Sequence, residues 1–138
     1  MHTPLDDFPL AAPAASRPRT PAWPVAAVLD VAVVLLFAAL GRRAHALDPL
    51  GVLETAWPFL AGLALGWVAW RLPRAPFAPW PQGVALWATT VAAGMVLRAL
   101  TGQGTAPSFV LVTLGVLGTL LLGTRLAVRL LARVRRGG

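Results

Sequence analysis

The chain has no cysteine and no lysine, and only 12% of its residues are charged. Without thiols there is no disulfide, no thiolate nucleophile and no cysteine-ligated metal. With so few charges, and with 57% hydrophobic residues among 138, polar surface is too scarce to coat a water-soluble globule. A mean hydropathy of +0.71 agrees. His45 has no second histidine near it in sequence, and Asp48 with Glu54 makes a poor metal set, so neither a metal nor a cofactor is expected. A GxSxG elbow and an HExxH helix are also missing, which leaves no recognisable enzyme class.

The formal net charge of +7 comes entirely from arginines that sit in short clusters between apolar runs. A nucleic-acid-binding face would need a basic stripe on a soluble fold, so nucleic acid is not an expected partner. The charge reads instead as membrane topology. Four apolar segments occupy about residues 21–41, 49–72, 81–100 and 105–125. Each is close to the roughly 20 residues that a helix needs to cross a hydrocarbon core of about 30 Å. The expected fold is therefore all-α: a four-transmembrane-helix bundle running up-down-up-down through short connections. Residues 1–20, rich in proline and alanine, are expected to be a disordered tail. Residues 21–126 form the transmembrane domain, and 127–138 an arginine-rich helix extension and tail.

Local signals place the ends. Thr20 is the expected cap of the first helix, Asp48 with Pro49 of the second, and Thr105 with Pro107 of the fourth. Pro58 should kink the second helix or divide an interfacial turn from the span. "TAWPF" at 55–59 and "TAPSF" at 105–109 suggest a weak repeat in which each opens an even-numbered helix. Ala44-His45-Ala46 has the form of a signal cleavage site. The preceding segment is long for a leader, holds Asp30 and is followed by two arginines, so it is read as the first span.

Orientation follows from the arginines. One side carries Arg17, Arg19, Arg71, Arg74, Arg125, Arg129, Arg133, Arg135 and Arg136, and the other only Arg42, Arg43 and Arg98. Nine against three puts both termini in the cytoplasm of a bacterial inner membrane. Trp23, Trp70 and Trp80 then fall at the inner interface and Trp57 at the outer one, while Trp67 and Trp87 lie deeper and pack. The C-terminal arginines, recurring about every four residues, suit anionic lipid headgroups.

Two polar groups stand out. Asp30 lies inside the first span, where a charge costs about 2.5–3.5 kcal/mol near the centre and must find partners. Arg125 has the reach to pair with it, and Thr89, Thr90 and Thr119 are alternatives. On the other side, Arg42, His45, Glu54, Arg98 and Gln103 form a candidate outer site, with Arg98–Glu54 and Arg42–Asp48 as its expected ion pairs. Gly62 and Gly66 on the second helix, and Gly115, Thr119 and Gly123 on the fourth, form small-residue rows that favour close helix packing or an interface with a second copy or partner membrane protein.

The order "LD…LLFAALGRRAH", "TAWPFLAGLALGW", "GMVLRALTGQGTAPSFVLV", "LLGTR" resembles the small four-helix bacterial and archaeal membrane proteins of domain of unknown function 3054, over about residues 25–126. The resembling stretches include Asp30, Gly41, Arg42, His45, Pro58, Phe59, Gly62, Trp67, Gly94, Arg98, Gly104 and Arg125. The resemblance implies four spans and brings no activity with it. Two functions are expected in order: ion, proton or small-solute transport through an oligomer, and otherwise an accessory role with another membrane protein.

Overall fold

The computed structural model describes residues 21–42 and 48–138. Among them all regular structure is helical: α1 (Trp23–Gly41), α2 (Pro49–Ala69), α3 (Val84–Leu100) and α4 (Pro107–Gly137). A short 3-10 turn, Leu72–Arg74, and a wide helical turn, Pro79–Gly83, join α2 to α3. All four helices are long and apolar enough to cross a membrane, α3 together with its leading turn. The expectations of a disordered tail over residues 1–20 and for His45 fall outside the described residues; the expected Thr20 cap does not hold, since the N-cap of α1 is Ala22, with no side-chain bond.

Helix ends follow the chain's prolines more than its hydroxyls. Asp48 caps α2 by accepting from the Gly51 N–H, with Pro49 in the first turn. Pro24 and Pro107 occupy the same early positions in α1 and α4, where a missing N–H has no consequence. Thr105 does not cap α4; the N-cap is Ala106, with no side-chain bond. "TAWPF" lies in the interior of α2 while "TAPSF" opens α4, so the two segments are not structurally equivalent. The suggested repeat is not seen.

Pro58 does not divide α2 into a turn and a span: the helix runs as one element from Pro49 to Ala69. Proline removes the donor that would have served the Glu54 carbonyl four residues earlier. Gln103 Nε2, from the α3–α4 loop, reaches that carbonyl at 3.4 Å. This donor from outside the helix supplies the bond that the proline removes.

Contacts between neighbouring helices run antiparallel. Along α2, Phe59, Gly62 and Gly66 face Gly94, Thr90 and Leu86 of α3 in reverse order. Between α1 and α4, Phe37 meets Phe109 and Asp30 meets Arg125. The missing side chains of Gly62 and Gly66 let α2 and α3 approach: a Cβ on Gly62 would lie 2.8 Å from the Thr90 carbonyl, and one on Gly66 2.6 Å from Leu86 Cδ1. The second glycine row behaves otherwise. Gly115, Thr119 and Gly123 are exposed, and a Cβ on either glycine would meet nothing, so this row does not pack within the chain. On α4 it is Gly118 that packs, beneath the Trp87 ring.

The solvation pattern is inverted relative to a water-soluble domain. Val68 and Leu111 are 79% and 70% exposed, whereas Asp30 and Arg125 are each 1% exposed. Aliphatic side chains outside and charges inside are what a hydrocarbon solvent selects.

Candidate functional site

Asp30 comes inward from the α1 face that also presents Ala26, Val33, Val34 and Phe37 to the core. Arg125 meets it from α4. Nη1 donates to Oδ1 at 2.8 Å and Nη2 to Oδ2 at 2.8 Å, so the guanidinium lies bidentate on the carboxylate. Trp67 of α2 adds a third donor, Nε1 to Oδ2 at 2.9 Å. Arg125 Nη1 also donates to the Leu121 carbonyl at 3.0 Å, one turn back on α4. Three helices thus converge on one carboxylate. The turn leading into α3 makes room for the pair: a Cβ on Gly83 would stand 2.9 Å from Arg125 Cδ.

The hydroxyls weighed as partners of Asp30 are elsewhere. Thr119 is exposed on the outer face of α4 and takes no part in the site. Thr89 accepts from Trp70 Nε1 at 2.9 Å, and the buried Thr90 hydroxyl has no hydrogen-bond partner among the described residues. Trp67, which the sequence marked as a packing residue, is the one additional ligand of the carboxylate among the described residues.

At the opposite end Arg98 is buried, and its partners are not the expected ones. Nε donates to the Gly104 carbonyl at 3.2 Å, Nη1 to Gln103 Oε1 at 3.0 Å and Nη2 to the Gln103 carbonyl at 2.9 Å. Its guanidinium carbon sits 4.3 Å above the centre of the Phe109 ring. The loop can wrap the guanidinium because Gly102 and Gly104, on either side of Gln103, adopt φ of +71° and +78°. Glu54 contributes only its carbonyl; its side chain is exposed and forms no ion pair among the described residues. Arg42 pairs with Asp48 at 3.4 Å in an exposed position. The outer candidates therefore separate into a loop lock, Arg98–Gln103–Glu54 carbonyl, and a surface pair, Arg42–Asp48, with His45 beyond the described residues.

A mostly apolar layer, interrupted by the buried hydroxyls of Thr90 and Thr113, separates the two polar clusters. Phe37 and Phe59 meet edge to face at 5.3 Å between centroids, and Phe109 lies 6.2 and 6.3 Å from them. Below this trio the fully buried Val34, Leu117 and Leu121 and the nearly buried Leu63 fill the interior. From Phe109 to Arg125 the distance along α4 is about 24 Å at a rise of about 1.5 Å per residue.

No curated protein and no solved structure matches the chain. The family model described as protein of unknown function (DUF3054) matches residues 27–128, a stretch holding Asp30, Trp67, Arg98, Gln103 and Arg125, and the chain belongs to that family.

Proposed function

We propose that this multi-pass membrane protein is a structural or accessory subunit whose bundle is closed to solutes, set in the bacterial cytoplasmic membrane with its arginine-rich end inside. One observation carries the reading: the Asp30 carboxylate and the Arg98 guanidinium are each hydrogen-bonded within the chain, and the layer between them is aromatic and aliphatic apart from the two buried hydroxyls of Thr90 and Thr113, too few to form a continuous polar path. A relay carboxylate needs access to water on at least one face. Asp30 instead spends its oxygens on two arginine nitrogens and one indole. Such a clasp fixes which faces of α1, α2 and α4 meet, leaving the outer faces to assemble with a second copy or another membrane protein.

Transport through an oligomer is the second reading, favoured by the presence of a carboxylate and an arginine so deep in the bundle. Flux across proteoliposomes loaded with a pH-sensitive dye distinguishes the two. Wild type and Asp30→Asn should both match protein-free vesicles under proton and cation gradients. Flux in wild type that Asp30→Asn abolishes would establish transport instead.

A further inference from the structure

At the arginine-rich end a groove of about 510 Å³ opens between the start of α1, the end of α2 and the turn that follows, lined by Trp23, Trp67, Val68, Arg71, Pro73 and Arg74. Its walls are held in place. Trp67 is tied to Asp30 through its indole N–H. Arg71 follows just past the end of α2. There the chain adopts φ +50°, a left-handed conformation that costs a non-glycine residue about 1–3 kcal/mol in general. This break ends α2 and starts the 3-10 turn, which Leu72, fully buried, anchors to the core. Arg71, at the left-handed break, and Arg74, at the end of the 3-10 turn, both line the groove.

The charge that the described residues bring to the groove is of one sign. Among the described residues no carboxylate lines it. Among the described acidic residues, Asp30 is occupied by Arg125, and Asp48 and Glu54 belong to the other end of the bundle. α1 begins at Trp23 without a side-chain cap, which adds the positive end of a helix dipole to the same wall. Two indole rings beside two guanidinium groups, with the exposed Val68 next to them, match the border between headgroup and acyl chain.

We infer that this groove is a binding site for the phosphate-bearing headgroup of an anionic phospholipid, held by Arg71 and Arg74 against Trp23 and Trp67. The inference rests on the helices being embedded in a membrane and not on the choice between scaffold and transporter. It differs from general attraction of the C-terminal arginines to a charged surface, because it assigns one lipid to one place.

The test is native mass spectrometry of the full chain released from mixed micelles holding equal phosphatidylglycerol and phosphatidylcholine. Wild type should retain phosphatidylglycerol with a preference of about thirtyfold, the attraction expected for two arginines near a headgroup. Arg71→Gln with Arg74→Gln should abolish the preference, whereas Arg135→Gln with Arg136→Gln, which removes equal charge from the end of α4, should keep it. Excess inorganic phosphate should not displace the lipid. Equal retention of both lipids by wild type, equal loss in the two double variants, or displacement by free phosphate would overturn the assignment. The wild-type comparison and the phosphate competition need no substitution, so a variant that fails to fold leaves the test decisive.

Discussion

The Gln103 side-chain amide donates to the one carbonyl of α2 that Pro58 leaves without its helical donor, that of Glu54. The same amide's oxygen accepts from Arg98, so a proline on α2 and an arginine on α3 are served by one loop residue. This predicts non-additivity. Gln103→Leu should destabilise the bundle by about 1 kcal/mol or somewhat more, the usual cost of a lost hydrogen bond. In a Pro58→Ala background the helix satisfies its own carbonyl, and Gln103→Leu should cost less. Thermal unfolding of the two single variants and the double in detergent measures the coupling; strictly additive effects would show that the 3.4 Å contact contributes nothing.

Asp30 and Arg125 should behave as a unit. Removing one partner of a buried pair leaves an uncompensated charge and typically costs about 3–5 kcal/mol, while replacing both with apolar groups of similar size is often neutral. Asp30→Leu and Arg125→Met are therefore each expected to lower unfolding temperature sharply, and the double variant to recover most of the loss. A double variant as unstable as the sum of the singles would deny that the two groups depend on each other. Trp67→Phe, which keeps an aromatic but smaller side chain and removes one of three donors, should be milder than either, at about 1 kcal/mol for the hydrogen bond plus the lost contact area.

How much of this was legible in the sequence depends on how many solutions each residue had. Asp30 in hydrocarbon needs a cation at similar depth, and Arg125 was the available one, so the pair could be read from the chain. Arg98 was not readable in the same way. The sequence offered Glu54 as its opposite charge, but backbone carbonyls can accept from a guanidinium's N–H groups as well, and they became accessible only because Gly102 and Gly104 fold the loop over it. The glycine rows show a different limit. Spacing says that Gly115, Thr119 and Gly123 share a face of α4, but in a membrane the lipid-facing and core-facing sides are both apolar, and composition does not reveal which one looks inward.

That difference can be tested directly. Gly94 lies under the Phe59 ring and Gly62 against the Thr90 backbone, so neither has room for a side chain. Gly62→Leu or Gly94→Leu should disrupt the bundle, with losses above the about 1–3 kcal/mol typical of overpacking. Gly115→Leu and Gly123→Leu should leave the monomer's unfolding temperature nearly unchanged, since nothing stands in the way. If either of these also abolishes a dimer seen in mild detergent, the exposed row is the contact between copies. Loss of monomer stability would mean that α4 turns a different face to the core.

Orientation is the last expectation, and its physical basis is the unequal charge of the two ends. The end at which α4 finishes carries Arg71, Arg74, Arg129, Arg133, Arg135 and Arg136 on exposed positions. At the other end Arg42 is offset by Asp48 and Arg98 is folded into the loop. Translocating the first set across a membrane is the more costly choice, so it should remain in the cytoplasm. Because the chain has no cysteine, a single introduced thiol is a unique label. Thr105→Cys should react with a membrane-impermeant maleimide in intact cells, and Gly138→Cys only after permeabilisation. The opposite pattern would invert the orientation and place the Arg71–Arg74 groove in the outer leaflet.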